Sequence, residues 1–486
     1  AIYRENAPEL IYYLMLYHIF HDYLDELNEE RIIKSGTGFK NTKIWQLLYK
    51  FQRDGVQGII DKIEKYNGCI LADSVGLGKT FSALAVIKYY ELRNDRVLVL
   101  CPKKLRENWT IYTQNDRRNL LVDDRFNYDV LNHTDLSRVS GLSGSINLAT
   151  INWGNYDLVV IDESHNFRNN PPVKDRITRY ERMMRDIIKS GVKTKVLMLS
   201  ATPVNNRMND IKNQIAFITE GNDQALSHIE LPSIERTLRR AQTIFNRWND
   251  LPEVERTSRT FVDMMEIDYF KLLDTLTIAR SRKHIEKYYD IAEIGDFPKR
   301  IKPINRYSQI DATGVFPPIG KMNELIQQLS LAVYSPILYL RADKRHEYEQ
   351  AYDIQVKDGK TFFRQSDRER SLVALMRVNI LKRLESSVYS FALTVERILE
   401  MINHPLDTID NHQGQFEPDL SILDIDPDDQ TLEELMTGTK VKVLLQDMDL
   451  IKWKQALELD REKLSRILDA ARLVTPDKDQ KLHDAR

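Results

Sequence analysis

"GCILADSVGLGKTFSALAV", residues 68–86, sets an apolar run, a glycine-rich turn ending in Gly78-Lys79-Thr80 and a helix-like stretch in immediate succession. Strand, turn and helix in that order are the setting a phosphate-binding loop requires. Gly76 and Gly78 lack Cβ atoms, so the backbone can turn tightly and aim N–H groups at phosphate oxygens, helped by the positive end of the following helix. Lys79 is then expected to reach β/γ-phosphates, and the Thr80 hydroxyl to ligate Mg²⁺. Where such loops usually carry their first glycine, this chain has Asp73.

Outward from the loop, short β-branched runs alternate with helical patterns: "RVLVLCP" then "KKLRENWTIYTQ", followed by "YDLVVIDES" and "KVLMLSATP". This predicts an α/β fold with a parallel sheet covered by helices. Beyond residue 205 the strand signals fade and only seven of the 18 glycines remain, so the rest of the chain is expected to be mainly helical. From 372 to 402 an apolar stripe, Leu372, Met376, Ile380, Leu384, Val388, Phe391, Val395, Ile398 and Ile402, predicts one long amphipathic helix or two stacked ones. Residues 416–434 carry two prolines and eight acidic side chains and read as an exposed connector.

Composition bounds the function without choosing it. With 42% hydrophobic and 29% charged residues over 486 positions, the chain is long enough for about three domains of ordinary globular type. Seventy basic against 72 acidic side chains leave a net charge of −2, so any nucleic-acid groove must be local. Two cysteines, Cys69 and Cys101, both in apolar runs, exclude a disulfide scaffold and suit a reducing cytoplasm. The apolar stretch "LIYYLMLYHIF" at 10–20 is about half a bilayer span, and neither a membrane helix nor a signal peptide is expected.

Two further runs end in polar groups that suit phosphoryl transfer. In "YDLVVIDESHNF" (156–167) the apolar run ends in Asp162-Glu163, at the strand end where ligands of parallel sheets bind. Asp162 fits the carboxylate that holds Mg²⁺ through its water shell, and Glu163 the group that orients the attacking water. "LMLSATP" (197–203) offers the hydroxyls of Ser200 and Thr202 to His165 or the carboxylates, a means of coupling to the γ-phosphate.

In this order the motifs resemble the superfamily 2 helicases and, within them, the bacterial SWI/SNF-type double-stranded DNA translocases. "ADSVGLGKT" is similar to that group's phosphate-binding loop, in which an aspartate commonly replaces the first glycine. "IDESH" resembles the DEAH-type box with Ser164 in place of alanine, and "LSATP" the third motif. "LYKFQRDGV" resembles the glutamine motif, which implies that Gln52 recognises adenine. "VLVLCPKKLRENW" resembles a segment that touches the DNA backbone in relatives, which makes Lys103 and Lys104 candidate contacts. "LTIARSRKHI" looks like the arginine-rich element after the first lobe, so Arg280, Arg282 and Lys283 are expected to form a basic patch.

The resemblance implies a RecA-like P-loop ATPase lobe followed by helical insertions, with ATP and Mg²⁺ as cofactors and duplex DNA held through its backbone. Expected segments are an N-terminal helical segment (1–45), the lobe (46–225), a helical protrusion (226–300), a helical insertion with the acidic connector (301–445) and a helical lead-in (446–486) to a second lobe. No glutamine- and arginine-containing motif of that second lobe follows residue 300. Little turnover is therefore expected of these 486 residues alone, and some relatives carry a nuclease module besides. An RNA or single-strand helicase and a non-hydrolysing ATP-binding scaffold remain the alternatives.

Overall fold

The computed structural model describes residues 38–168, 178–201, 208–290, 295, 297–298, 309–311, 314–352, 354–355, 362–409, 415–416 and 443–485. The expected N-terminal segment up to residue 37, Thr202 and nearly all of the acidic connector fall outside them. Two compact units emerge, one formed within residues before 300 and the other within residues 300–486.

In the first unit the apolar runs become the strands β1 (Gly68–Leu71), β2 (Val97–Cys101), β3 (Asp129–Asn132), β4 (Leu158–Asp162) and β5 (Lys195–Leu199), joined by a two-residue strand β6 (Thr277–Ile278). They pair in the order β3-β2-β4-β5-β1-β6, every neighbour parallel. Side chains alternate across a strand, so each run feeds both faces of the sheet. Leu98, Leu100, Val159, Ile161, Val196 and Met198 enter one apolar core, while Val97, Val99, Leu158, Val160, Leu197 and Leu199 enter the other. Continuous rather than alternating apolar runs are what a sheet covered on both sides needs. Cys69 and Cys101 are plain core residues whose thiols burial pushes up to about 12, which leaves them inert.

One face is covered by α1 (Lys50–Tyr66) and α2 (Lys79–Glu91), through Val56, Ile59, Ile60, Ile63 and the apolar run Ala83–Ile87. The other is covered by α3 (Lys212–Ile218), α4 (Ile234–Asn249) and α5 (Ile267–Leu276), whose Ile215, Leu238, Trp248, Leu272 and Leu276 join Ile70 and Val159 in one core. The segment 226–290 is mainly helical, and its Ile234, Leu238, Trp248, Leu272 and Leu276 share one core with the sheet. Its apolar faces are buried on the sheet, and it supplies the sixth strand.

The second unit is helical, and its α6 (Ile319–Gln327) buries Met322 and Ile326 in the unit's core. The stripe from Leu372 to Ile402 forms two helices, α7 (Gln365–Ser386) and α8 (Val388–Ile409), and all nine of its residues are buried. The break falls at Ser387, whose extended backbone ends α7 and whose Oγ accepts from Ser390 N at 3.4 Å; serine competes with the helix for backbone groups at such points. Packed on α8 is α9 (Leu450–Arg472). Its buried Asp460 accepts from Ser330 N and Oγ, both at 2.7 Å, and from Ala332 N at 3.0 Å, while Trp453 Nε1 donates to Ala332 O at 3.2 Å. The expected lead-in 446–486 thus shares a core with the insertion before it. Among the described residues no helix is long and apolar enough to cross a membrane.

Candidate nucleotide site

Strand register brings the motifs together. Asp162 at the end of β4 lies opposite Leu199 of β5, and Leu199 lies opposite Leu71 of β1. The loop after β1, Ser200 after β5 and Glu163 after β4 consequently leave three adjacent strands at the same level, at their C-terminal ends. Ligands of open parallel sheets bind at such ends.

In the loop, Gly78 takes φ 77° as it hands the chain to α2. The first N–H groups of a helix have no intrahelical partner, so those at the start of α2 form an anion-binding end. Lys79 Nζ donates to Asp73 O at 2.9 Å. Burial pushes its ammonium below the usual lysine range, against the opposing pull of Asp73, Glu163 and Asp162. Gln52 accepts from Tyr49 N and donates to Leu77 O, each at 3.0 Å, so it ties the start of α1 to the loop. Each end of an amide can make two hydrogen bonds. One donor and one lone pair are left over.

Asp162 is held from two sides: Oδ2 accepts from Trp109 Nε1 at 2.9 Å and Oδ1 from Glu163 N at 3.0 Å. Burial raises its carboxyl above the ordinary aspartate range, and these two bonds pull the other way. Glu163 sits at φ 49°, ψ 53°, a left-handed conformation that costs a non-glycine residue about 1–3 kcal/mol and clusters at functional sites. His165 Nδ1 is 3.3 Å from both Glu163 Oε2 and Ser200 Oγ. Lys79, Asp162, Glu163, His165 and Ser200 thus share one site, with Thr80 on the first turn of α2. The donor set, N–H groups and one ammonium beside two carboxylates and a hydroxyl, fits a phosphate chain with Mg²⁺, which takes one or two carboxylates plus phosphate oxygens.

The expected basic patch is not a surface patch. Arg280 is 4% exposed; its Nε and Nη2 bond Asp73 Oδ1 and Oδ2 at 3.0 and 2.5 Å, and its Nη1 donates to Phe51 O. Arg280 is therefore a brace on the phosphate loop and not a DNA-backbone contact. The reason is β6, which pairs with β1 and carries Arg280 past the strand end beside Asp73. Arg282 Nη2 reaches Val75 O at 3.4 Å, on the outer side of the same loop. Lys283 is exposed, as are Lys103 and Lys104 on the turn after β2.

Three partners escaped the sequence reading. Trp109 lies in the segment expected near DNA, yet its indole is buried against Asp162. Ser164, a mild change from alanine in sequence, donates through Oγ to Gln214 Oε1 of α3 at 2.8 Å. Arg280 carried a signal, its charge, but only the fold could place it opposite Asp73.

The same stretch of sequence is similar to known proteins. Residues 46–205 match the family model described as the type III restriction enzyme res subunit. Over 173 residues the chain is 31% identical to an uncharacterized ATP-dependent helicase, YqhH, of Bacillus subtilis, covering 35% of this chain and 29% of that protein. Over 195 residues it is 27% identical to a SWI/SNF-related matrix-associated actin-dependent regulator of chromatin subfamily A-like protein 1 of Xenopus laevis, covering 37% and 18%. A solved SWI2/SNF2 ATPase core from Sulfolobus solfataricus in complex with dsDNA overlaps 75% of this chain and 65% of its own at 16% identity, with a TM-score of 0.30. The chain spans less than a third of the length of those two curated relatives. Residues 46–205, which carry the phosphate-binding loop, Asp162 and Glu163, are thus similar in sequence to ATP-dependent helicases and SWI/SNF-related proteins.

Proposed function

We propose that this lobe is the ATP-binding part of a motor that hydrolyses ATP to move along double-stranded DNA. The observation that carries the reading is the convergence of Lys79, Asp162 and Glu163 at the ends of β1 and β4, on either side of β5. In this reading Lys79 and the N–H groups of Gly76, Gly78 and α2 hold the β/γ-phosphates. Thr80 binds Mg²⁺ directly and Asp162 through water; the ion's charge offsets that of the phosphate oxygens. Gln52 reads adenine with its spare donor and lone pair. Glu163 orients the attacking water, and His165, between Glu163 and Ser200, couples that residue to the strand carrying the third motif. Lys103, Lys104 and Lys283 meet phosphates of the duplex, so binding is salt-sensitive and nearly blind to sequence.

Binding of a fluorescent ATP analogue with Mg²⁺, and phosphate release with and without duplex DNA, test this. Lys79→Ala abolishes nucleotide binding, whereas Glu163→Gln keeps it and blocks release, since an amide preserves shape but cannot polarise water. Equal loss of binding in both variants would sink the division of roles.

A further inference from the structure

On a chain of net charge −2, α4 carries a local concentration of positive charge. This helix carries four arginines, Arg236, Arg239, Arg240 and Arg247, against one acid, Glu235. At about 100° per residue, Arg236, Arg240 and Arg247 fall within about 40° of one another. All three are exposed, while Ile234, Leu238, Ala241 and Trp248 on the other side are buried in the core. Arg236 and Arg247 make no ion pair among the described residues. Arg240 meets Glu266 at 3.3 Å, with both side chains about half exposed. A surface pair of that kind is worth about 0–1 kcal/mol and exchanges readily for a phosphate.

We propose that the stripe Arg236-Arg240-Arg247 is a docking surface for the phosphate backbone of duplex DNA. This rests on the reading of the lobe as a DNA motor. Residues 236 to 247 extend about 16 Å along the helix axis. At a rise of about 3.4 Å per base pair this matches roughly five base pairs of duplex axis, enough for the three cations to meet separate phosphates. All the cations are arginines, whose planar fork suits phosphate oxygens. The surface is also joined to the nucleotide site. Glu235 of α4 pairs with Lys212 of α3 at 2.8 Å, and Gln214 of the same α3 accepts from Ser164, next to Glu163. Arg280 and Arg282, turned onto the phosphate loop, leave this role open.

The test is fluorescence anisotropy of a labelled 20-base-pair duplex titrated with the 486-residue chain from 50 to 200 mM salt. The triple variant Arg236→Gln, Arg240→Gln, Arg247→Gln is expected to bind at least about tenfold more weakly at low salt, with the slope of log K against log salt shallower by about one per arginine. ATP binding and the thermal midpoint stay unchanged, because the three side chains are exposed. Wild-type binding that the triple variant leaves intact overturns the stripe but spares the motor reading, with Lys103, Lys104 and Lys283 as its remaining contacts. A wild type that binds no duplex at 50 mM salt overturns both. Displacement of the duplex by polyglutamate at equal charge concentration overturns the DNA assignment and shows a general anion surface only.

Discussion

Asp73 and Arg280 stand 207 residues apart in the chain and form a buried, two-pronged ion pair. Burial works against the Arg280 charge, and the Asp73 carboxylate overrides it, holding the guanidinium above its usual range. Asp73 fills the place of the first glycine of the loop and is itself 0% exposed. An isolated carboxylate could not persist there, so the departure from the usual loop requires a cation from elsewhere in the fold. β6 delivers it.

Removing one partner of this pair strands the other. Arg280→Met is expected to cost about 3–5 kcal/mol and to weaken ATP binding, because Asp73 is left as an uncompensated buried charge. Asp73→Asn combined with Arg280→Met recovers part of that loss. Thermal unfolding and nucleotide titration of the two singles and the double check this; additive losses would show that the residues do not act as a pair.

Gly55 gives a prediction of unusual sign. In the middle of a helix, Gly→Ala normally stabilises by about 0.5–1 kcal/mol. A Cβ at Gly55 of α1, however, would lie 2.5 Å from the Arg280 guanidinium nitrogens. That guanidinium cannot move aside without leaving Asp73 and Phe51 O. Gly55→Ala is therefore expected to destabilise the lobe. A raised thermal midpoint would refute the rigidity of the brace.

Trp109 sets a pH dependence. To hold Mg²⁺ as proposed, Asp162 must be ionised, and burial already raises its carboxyl above the ordinary range near 3.9. The Trp109 hydrogen bond lowers it. Trp109→Phe keeps an apolar ring and loses that bond, so the acid limb of Mg²⁺-dependent ATP binding moves to higher pH. Binding curves between pH 4 and 8 report the limb; one that stays in place would mean the indole does not hold the carboxylate.

Glu369 sets another, in the second unit. Burial pushes this carboxyl up to about 8, against the Ile337 N–H and Arg368. The folded state then keeps its proton up to about pH 8, while the unfolded chain releases it near pH 4.3. Between those values the folded state binds more protons, so stability falls as pH rises through the window. Glu369→Gln retains an acceptor for Ile337 and removes the titration. Its thermal midpoint is expected to vary less from pH 5 to 8 and to exceed the wild-type value at pH 8; a lower midpoint there would contradict the assignment.

Local rules carried much of the lobe. The strand-turn-helix around Gly76, Gly78 and Lys79, the carboxylates Asp162 and Glu163 ending an apolar run, and the stripe from Leu372 to Ile402 each follow from chain geometry within a few turns. Those features were legible because the residues that make them are neighbours in sequence. What tertiary structure decided joins distant residues. Trp109 meets Asp162 across 53 positions, Ser164 meets Gln214 across 50, and Asp73 meets Arg280 across 207. The arginines after residue 275 and those on α4 are alike as text. One group is drawn inward because β6 pairs with β1 beside a buried carboxylate, and the other stays outside because Leu238 and Trp248 hold the opposite side of its helix in the core. Periodicity gives the face a residue occupies on its own element; only packing decides whether that face meets protein or water.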